Sequence, residues 1–297
     1  FRQSAINIHL NQSFNLMTTL IFKKEINAPA NKVWFSLWDN LYYMKWTSAF
    51  SEGSYAVSDW KQGSKIHFLA PSGDGIYGNI DLMVKYEKMH FRQEGVLKSF
   101  KEQPADDESR LWSGAMEKYE LAESSGSTVL TVYLETLESY IEEFNNKFPV
   151  ALDLVKQSAE HLSIIIQSNL NISVEKAWAA YTDPAHIVKW NNASADWHTT
   201  KAENSLVKGG RFTSRMEAKD GSAGFDFGGV YDQVVTHELI AYTLDDGRKV
   251  TVKFSAGNNQ TSISVSFEPE DMNSLELQKF GWQSILDNFR LYAERIV

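Results

Sequence analysis

The sequence of 297 residues contains no cysteine at all. This absence excludes disulfides, cysteine nucleophiles and cysteine-based zinc sites, and it fits a protein of a reducing compartment. Positive charge is also scarce, because 29 lysines and arginines compare with 38 aspartates and glutamates and leave a formal net charge of −9. Phosphate binding depends on clustered lysine and arginine, so this balance argues against a nucleic-acid partner. Since no run of 18 apolar residues occurs, we expect no membrane span.

The composition that remains is typical of a globular protein. Hydrophobic residues make up 43% and aromatic residues 13% of the sequence, which argues against intrinsic disorder. The length predicts about two domains, each long enough to bury a core of its own. With no cysteine, no membrane span and no secretion signal in the sequence, we expect a cytoplasmic protein.

The first sixteen residues differ from the rest. Residues 1–16 show neither the alternation of a strand nor the apolar stripe of a helix. They also lack the apolar segment of a signal peptide. A stretch that reads as the beginning of a folded domain follows directly after Met17. We therefore expect residues 1–16 to be an unstructured extension or a misassigned start, with Met17 as the native first residue.

An internal repeat runs through the chain with an offset of 144 residues. Residues 26–34 align with residues 170–178, with identical Asn, Lys and Trp at matching positions. The same offset places Trp46 on Trp190, and later segments match after small gaps. An ordered series of matches that includes two tryptophan pairs indicates two copies of one domain.

Both predicted domains, residues 17–162 and residues 163–297, have the same order of elements. A short strand leads into a helix, for which Ser173 is the predicted N-cap in the second copy and Pro29 marks the start in the first. Strands with period-two alternation follow, separated by turn residues. The hairpin signals of the second copy are Asp220-Gly221, Asp246-Gly247 and Gly257-Asn258-Asn259.

A long helix is predicted to close each copy. In the second copy Trp282, Ile285, Leu286 and Phe289 form one apolar face at helical spacing, and residues 149–162 repeat this pattern in the first. An antiparallel sheet must bury its apolar face under such a helix, and a strongly curved sheet leaves a cavity between them. The predicted fold class is α+β, with two tandem domains in which a curved antiparallel sheet wraps around a long C-terminal helix.

The second half resembles the domain named for the activator of Hsp90 ATPase homologue, in the SRPBCC superfamily of START-like, helix-grip folds. The segments that carry this resemblance are residues 181–190, 207–212, 225–229 and 281–289. The first half resembles the same family more weakly, since Gly209-Gly210 becomes Gly63-Ser64 and an acidic stretch, predicted to be a surface loop, is inserted at residues 104–108. The resemblance implies tandem helix-grip domains.

The same resemblance implies a function. Members of the superfamily bind hydrophobic or amphipathic small molecules in the cavity, and some are cyclases, hydrolases or hormone receptors. We therefore expect a binding protein for a hydrophobic small molecule. Two alternatives remain open: an enzyme of the cyclase or hydrolase type, and a protein-interaction module like a co-chaperone, which would bind a protein partner. Because the second copy fits the family better, we expect it to be the functional half.

Aromatic and other large apolar side chains are the best candidates for the cavity wall. A partly apolar pocket with a few polar groups is the usual form of a ligand site, although each of these residues could equally be core. The predicted cavity residues are Trp190, Trp197, Phe212, Met216, Phe225, Phe227, Tyr231, Tyr242, Phe254, Trp282, Leu286 and Phe289 in the second copy, with Trp46 and Tyr77 in the first.

Motifs for catalysis, metals and cofactors are missing from the sequence. There is no HExxH pattern, no G-x-S-x-G elbow and no G-x-G-x-x-G loop. We therefore predict no catalytic residue, no metal site and no cofactor, and interpret Gly209-Gly210 and Gly228-Gly229 as bulges or tight bends. If the protein is an enzyme, the titratable groups to check are His67, His198, Glu217 and Asp226.

Strand alternation also predicts where several charged residues point. Arg211, Arg215 and Glu217 lie out of phase with Phe212 and Met216, so they are expected on the solvent face. Arg215 and Asp226 could form a cross-strand pair there.

Overall fold

The computed structural model describes residues 17–296, and these form two compact units that meet between His161 and Leu162 in the sequence. The expectation for residues 1–16 lies outside the described residues. Each unit is an antiparallel sheet with helices, as the alternation and the turn signals predict. Between residues 17 and 296, none of the helices combines the length and the apolar character needed to cross a bilayer.

The first domain is built on an eight-stranded sheet in the order β1-β8-β7-β5-β4-β3-β2, with β6 paired to β5. Its strands are β1 Thr18–Ile26, β2 Tyr55–Val57, β3 Lys65–Leu69, β4 Gly75–Val84, β5 Lys88–Lys98, β6 Lys101–Glu102, β7 Met116–Ser124 and β8 Ser127–Thr136. Its helices are α1 Ala30–Trp38, α2 Asn40–Thr47, α3 Ser109–Trp112 and α4 Ile141–Glu160, and a 3₁₀ turn spans Glu138–Tyr140.

Helix α4 begins eight residues before the start that the sequence predicts, at Ile141 instead of Pro149. Pro149 lies inside the helix, where its ring is tolerated although it removes one backbone donor. The apolar face continues N-terminally through the proline, because the ring of Phe148 packs at 5.0 Å from that of Phe50 and stacks at 4.7 Å on Phe22 of β1. Tertiary packing of Phe148 therefore outweighs the tendency of Pro149 to interrupt a helix.

The second domain is built on a seven-stranded sheet in the order β10-β11-β12-β13-β14-β15-β9. Its strands are β9 Ile164–Leu170, β10 Trp197–Asn204, β11 Arg211–Ala218, β12 Gly224–Val235, β13 Leu239–Leu244, β14 Lys249–Ala256 and β15 Thr261–Phe267. Its helices are α5 Val174–Thr182, α6 Pro184–Trp190 and α7 Leu275–Ala293.

Three hairpin turns of the second domain form where the sequence predicts them. Gly221, Gly247 and Asn259 have φ of +75°, +88° and +55°, a conformation that glycine and asparagine tolerate well. Ser173 is the N-cap of α5, but its hydroxyl accepts no hydrogen bond from the helix. The stronger cap belongs to α6, where Asp183 accepts a bond from the Ala185 amide and Pro184 occupies the first turn.

Equivalent long-range hydrogen bonds confirm the internal repeat. The Thr128 hydroxyl donates to the carbonyl of Ala28 at 2.7 Å, and the Thr261 hydroxyl donates to the carbonyl of Ile172 at 2.8 Å. In each domain the final helix also anchors the first strand. Glu160 accepts from the Asn27 amide at 2.8 Å and Glu294 from the Asn171 amide at 2.9 Å. The two copies therefore share tertiary contacts as well as sequence.

Candidate functional site

The second domain contains a cavity of about 540 Å³ between its sheet and α7. Strands β10 to β13 form one side of the wall, and α6 and α7 contribute the other. On β11 the cavity is lined by Phe212, Ser214 and Met216, since alternate residues of a strand point to the same face. Most of this wall is apolar, so the cavity suits a ligand with a large apolar surface.

Ten of the twelve side chains predicted for this cavity are in its wall. They are Trp190, Trp197, Phe212, Met216, Phe225, Phe227, Tyr231, Tyr242, Trp282 and Leu286. The structure shows that these side chains line the cavity, whereas their binding of a ligand stays a prediction.

The structure places Phe254 and Phe289 outside the cavity wall. Both pack against the ring of Tyr181, at centroid distances of 5.4 Å and 5.1 Å, and Phe289 also lies 5.0 Å from Trp190. Their exposed fractions are 5% and 0%. These two rings fill the space where α5, α7 and β14 meet, so they belong to the packed core instead of the cavity.

Close packing of the sheet explains Gly228-Gly229, while Gly209 forms a tight turn. Gly229 pairs with Phe212, and β11 and β12 run without a register shift, so the bulge interpretation does not apply here. A Cβ at position 229 would lie 2.5 Å from the Thr243 carbonyl oxygen and 3.1 Å from the Phe212 ring. Glycine therefore permits the close approach that presents Phe212 to the cavity, whereas Gly209, with φ of +80°, permits the turn before β11.

The polar groups of this wall are few and mostly neutral. The Tyr231 hydroxyl donates to Asn204 Oδ1 at 2.8 Å, and Asn204 Nδ2 donates to the Thr182 carbonyl at 2.6 Å. Burial raises the pKa of Tyr181, Tyr231 and Tyr242, so these phenols are neutral at physiological pH. Among them, the Tyr231 hydroxyl acts as a fixed hydrogen-bond donor.

The first domain contains a second cavity, of about 660 Å³. Trp46 lines it, as the repeat predicts, but Tyr77 does not. On β4 the side chain of Ile76 faces the cavity, and Tyr77 points to the opposite face of the sheet. There its ring lies 6.3 Å from that of His67 and covers Gly95, where a Cβ would be 2.7 Å from the ring.

The wall of this cavity also contains a polar cluster, formed by Glu117, Tyr119 and Gln93, that the motifs of the sequence do not predict. Glu117 is partly exposed and lines the cavity. The Tyr119 hydroxyl donates to Glu117 Oε1 at 2.5 Å, and Gln93 Nε2 donates to Oε2 at 3.2 Å. Burial raises the pKa of the Glu117 carboxyl, and these two hydrogen bonds oppose that rise. A carboxyl group therefore lies among aromatic side chains, held by neutral donors alone.

One signal in the sequence could have revealed this cluster. Glu117 is in phase with Tyr119 and Leu121, which are both buried, so it interrupts the apolar face of β7. Gln93 is in phase with Met89 and Phe91 on β5 in the same way. A polar residue on the inward face of a strand marks a break in the binary pattern, and such breaks often mark functional positions.

The second domain has apolar residues at the equivalent positions. Val132 of β8 matches Val265 of β15 in the repeat, and their partners on the neighbouring strand are Tyr119 and Val252. Following the same strand pairing outward in each sheet shows which positions are equivalent in the two domains. Gln93 corresponds to Leu244, Glu117 to Val250, and Tyr119 to Val252. The three replacements are all buried. The polar cluster is thus a feature of the first domain.

The titratable groups singled out for the enzyme alternative lie outside both cavity walls. His67 Nε2 lies 3.1 Å from Glu102, on the outer face of the sheet. Arg215 contacts Glu217 at 2.9 Å and Asp226 at 3.5 Å, on the solvent face as alternation predicts. His198 pairs in register with Glu217 and faces neither cavity. Within residues 17–296 no three acidic or histidine side chains are grouped to hold a metal ion.

Comparisons with known proteins agree with this fold. A family model described as activator of Hsp90 ATPase homolog 1-like protein matches residues 171–294. The AHSA1-like protein from Aeromonas hydrophila is 42% identical, with 46% of this chain and 94% of that chain covered and a TM-score of 0.44. A protein of known solution structure from Cytophaga hutchinsonii is 49% identical, with coverages of 45% and 93% and a TM-score of 0.41.

A longer match covers both domains. The di-domain ARO/CYC protein StfQ from the steffimycin biosynthetic pathway is 13% identical, with 93% of this chain and 99% of that chain covered and a TM-score of 0.34. No curated protein matches the chain. The family model and the identity to the Aeromonas hydrophila protein, which spans nearly the whole of that protein, show that this chain belongs to the activator of Hsp90 ATPase homolog 1-like family.

Proposed function

We propose that the second domain binds a hydrophobic or amphipathic small molecule in its cavity and does not convert it. The observation that carries this proposal is the cavity of about 540 Å³ with ten large, mostly aromatic side chains in its wall. This volume lies within the range of ordinary ligand pockets. Tyr231 and Asn204 add a fixed polar edge that would orient an amphipathic ligand.

The charged side chains of the wall support binding without catalysis. Glu203 forms an ion pair with Lys201 at 2.5 Å, and Arg248 forms one with Asp246 at 2.8 Å. The carboxylate of Glu270 accepts hydrogen bonds from backbone amides of its own loop. General acid–base catalysis needs a titratable group that is free to reach the substrate. These groups are engaged elsewhere, which favours a binding role.

A fluorescence titration of the full chain with the neutral probe N-phenyl-1-naphthylamine tests this proposal. Ser214 is 5% exposed and lines the cavity, so Ser214→Phe would fill part of it. The matched control is Ser262→Phe, at an exposed position of β15. We expect Ser214→Phe to lose one probe site while Ser262→Phe binds like the wild type. Unchanged binding by a folded Ser214→Phe protein would contradict the proposal.

Native mass spectrometry of the protein from its own host addresses the second half of the proposal. A bound molecule that dissociates on denaturation can be identified, returned to the protein and recovered. We expect its mass to be unchanged after incubation. A time-dependent change of mass that requires the protein would show turnover and would favour the enzyme alternative.

A further inference from the structure

We propose that the cavity of the first domain is a separate binding site for organic cations, meaning molecules with an ammonium group attached to an apolar body. This site differs from the cavity of the second domain in charge and in hydrogen bonding. The proposal stands on the carboxylates of the wall, on the aromatic rings around them and on polar atoms that lack a partner.

The wall of this cavity carries an excess of negative charge. Five carboxylates and one lysine line it: Asp74, Asp106, Glu108, Glu117, Glu135 and Lys98. Within residues 17–296, none of the five carboxylates forms an ion pair. Asp74 accepts a hydrogen bond from the Ser99 amide and Glu108 accepts one from the Tyr140 hydroxyl, which are both neutral donors. Neutral donors do not cancel the negative charge of a carboxylate. A bound cation would therefore lower the electrostatic free energy of this cavity.

Part of this charge comes from residues 104–108, which the sequence identifies as an acidic surface loop. The structure confirms that Asp106 and Glu108 are exposed, and it places them at the cavity wall. Hydrogen bonds from Ser109 lower the pKa of Asp106, so this carboxylate is ionised at neutral pH. The insertion that distinguishes the first domain therefore adds negative charge to its cavity.

Glu117 is the carboxylate that a bound cation would meet among the apolar side chains. Its neighbours across the sheet are Phe91 on β5 and Leu134 on β8, and both line the cavity. Its two hydrogen bonds come from the neutral Tyr119 and Gln93. A carboxylate among apolar side chains is costly unless a positive charge pairs with it. An ammonium group supplies that charge.

Two polar atoms of the same wall lack hydrogen-bond partners among the described residues. Gln93 is 6% exposed, and its Oε1 has no donor within reach. The indole Nε1 of Trp38, which is 7% exposed, has no acceptor. Buried polar atoms are satisfied in nearly all native structures, so each exception calls for an explanation. The Oε1 of Gln93, whose amide nitrogen already donates to Glu117, is the one of these two atoms that can accept a hydrogen bond from an ammonium group beside that carboxyl.

Aromatic rings surround the carboxylate. The ring of Trp38 lies 5.0 Å from that of Tyr119, and the ring of Tyr43 lies 5.3 Å from that of Trp46. All four residues line the cavity. Aromatic faces attract cations through their quadrupole, most strongly where water is excluded. An ammonium group beside Glu117 would therefore find both a carboxylate and aromatic rings.

The second domain supplies an internal contrast. The positions of Gln93, Glu117 and Tyr119 are taken there by Leu244, Val250 and Val252. Its wall contains two carboxylates and one arginine, so it lacks the same excess of negative charge. We therefore assign cation binding to the first domain and no such preference to the second.

Calorimetric titration of the full chain with two matched probes tests this assignment. The probes are 2-(2-naphthyl)ethylamine, which is a cation at neutral pH, and 2-(2-naphthyl)ethanol, its neutral counterpart. We expect the amine to bind at least about tenfold more tightly than the alcohol at one site. Higher salt should weaken the amine alone, because the attraction is electrostatic. Equal affinity of the wild type for the two probes would overturn the proposal without any variant.

Two variants locate the preference. Glu117→Gln should abolish most of the difference in affinity between the amine and the alcohol. Glu120→Gln, on the outward face of the same strand, should preserve this difference. The Ser214→Phe variant, which obstructs the other cavity, should bind the amine like the wild type. A folded Glu117→Gln protein that keeps the full preference would overturn the assignment. If N-phenyl-1-naphthylamine did not bind the second domain, the proposed function would be wrong. The comparison of amine with alcohol in the first domain would still be valid, so each proposal can be refuted without the other.

Discussion

The hydroxyl of Tyr119 donates a hydrogen bond of 2.5 Å to the carboxyl of Glu117, inside the aromatic wall of the first domain's cavity. The second domain has Val252 and Val250 at the same two positions of its sheet. One fold thus carries two cavities of different chemistry, and the difference depends on a few side chains of the inward faces of β5 and β7.

Glu117 should make the stability of the first domain depend on pH. Because burial raises its pKa, the folded state holds this proton more tightly than the unfolded chain does. Its contribution to the free energy of unfolding is greatest below the ordinary glutamate pKa and is lost as pH rises through the raised value. Glu117→Gln lacks this dependence, so its stability relative to the wild type should increase between about pH 4 and about pH 7. Urea unfolding at both pH values measures this, with Glu87→Gln, at an exposed position of the same domain, as the control. An identical pH dependence of the two variants would contradict the account.

Tyr119→Phe should remove the shorter hydrogen bond to Glu117 without changing the shape of the core. The carboxyl then loses a donor in a place where water replaces it poorly. We expect a destabilisation of about 1–2 kcal/mol at neutral pH, measured by urea unfolding. Tyr133→Phe, on the outward side of β8, is the matched change and should cost less than about 0.5 kcal/mol. Equal losses in the two variants would show that the Tyr119 hydroxyl contributes nothing specific.

The two N-caps of the second domain should differ in strength. Asp183 accepts a hydrogen bond of 2.8 Å from the Ala185 amide, so Asp183→Ala should cost about 1 kcal/mol. The Ser173 hydroxyl makes no such bond to α5, so Ser173→Ala should stay within about 0.5 kcal/mol of the wild type. Chemical unfolding of both variants measures the difference. A larger loss for Ser173→Ala would contradict the cap geometry described above.

Two glycines should respond in opposite directions to alanine. Gly281 lies within α7 with nothing within 4 Å of an added Cβ, so Gly281→Ala should stabilise the domain by about 0.5–1 kcal/mol. Gly229→Ala would place its Cβ 2.5 Å from the Thr243 carbonyl oxygen and should destabilise it by about 1–3 kcal/mol. Thermal unfolding compares the two. Stabilisation by Gly229→Ala would show that β12 and β13 are less closely packed than the structure indicates.

Much of the architecture follows from patterns between neighbours in the sequence. The alternation in the strands and the turn at Gly221 depend on residues a short distance apart, and the repeat that places Trp46 on Trp190 follows from comparing two stretches of the sequence, so the sequence determines all three. The same holds for the outward direction of Arg215 and Asp226, which alternation predicts and the structure confirms. The family resemblance rests on the same residues, and it is confirmed as well.

Other features depend on how distant elements pack, and the sequence alone does not predict them. Helix α4 continues through Pro149 because Phe148 finds Phe22 and Phe50, which are far away in the chain. Phe254 and Phe289 have the same character as the cavity residues, yet they meet Tyr181 and fill the core. A cavity is the space that packed layers leave empty, so its wall is decided by long-range distances that no local pattern contains.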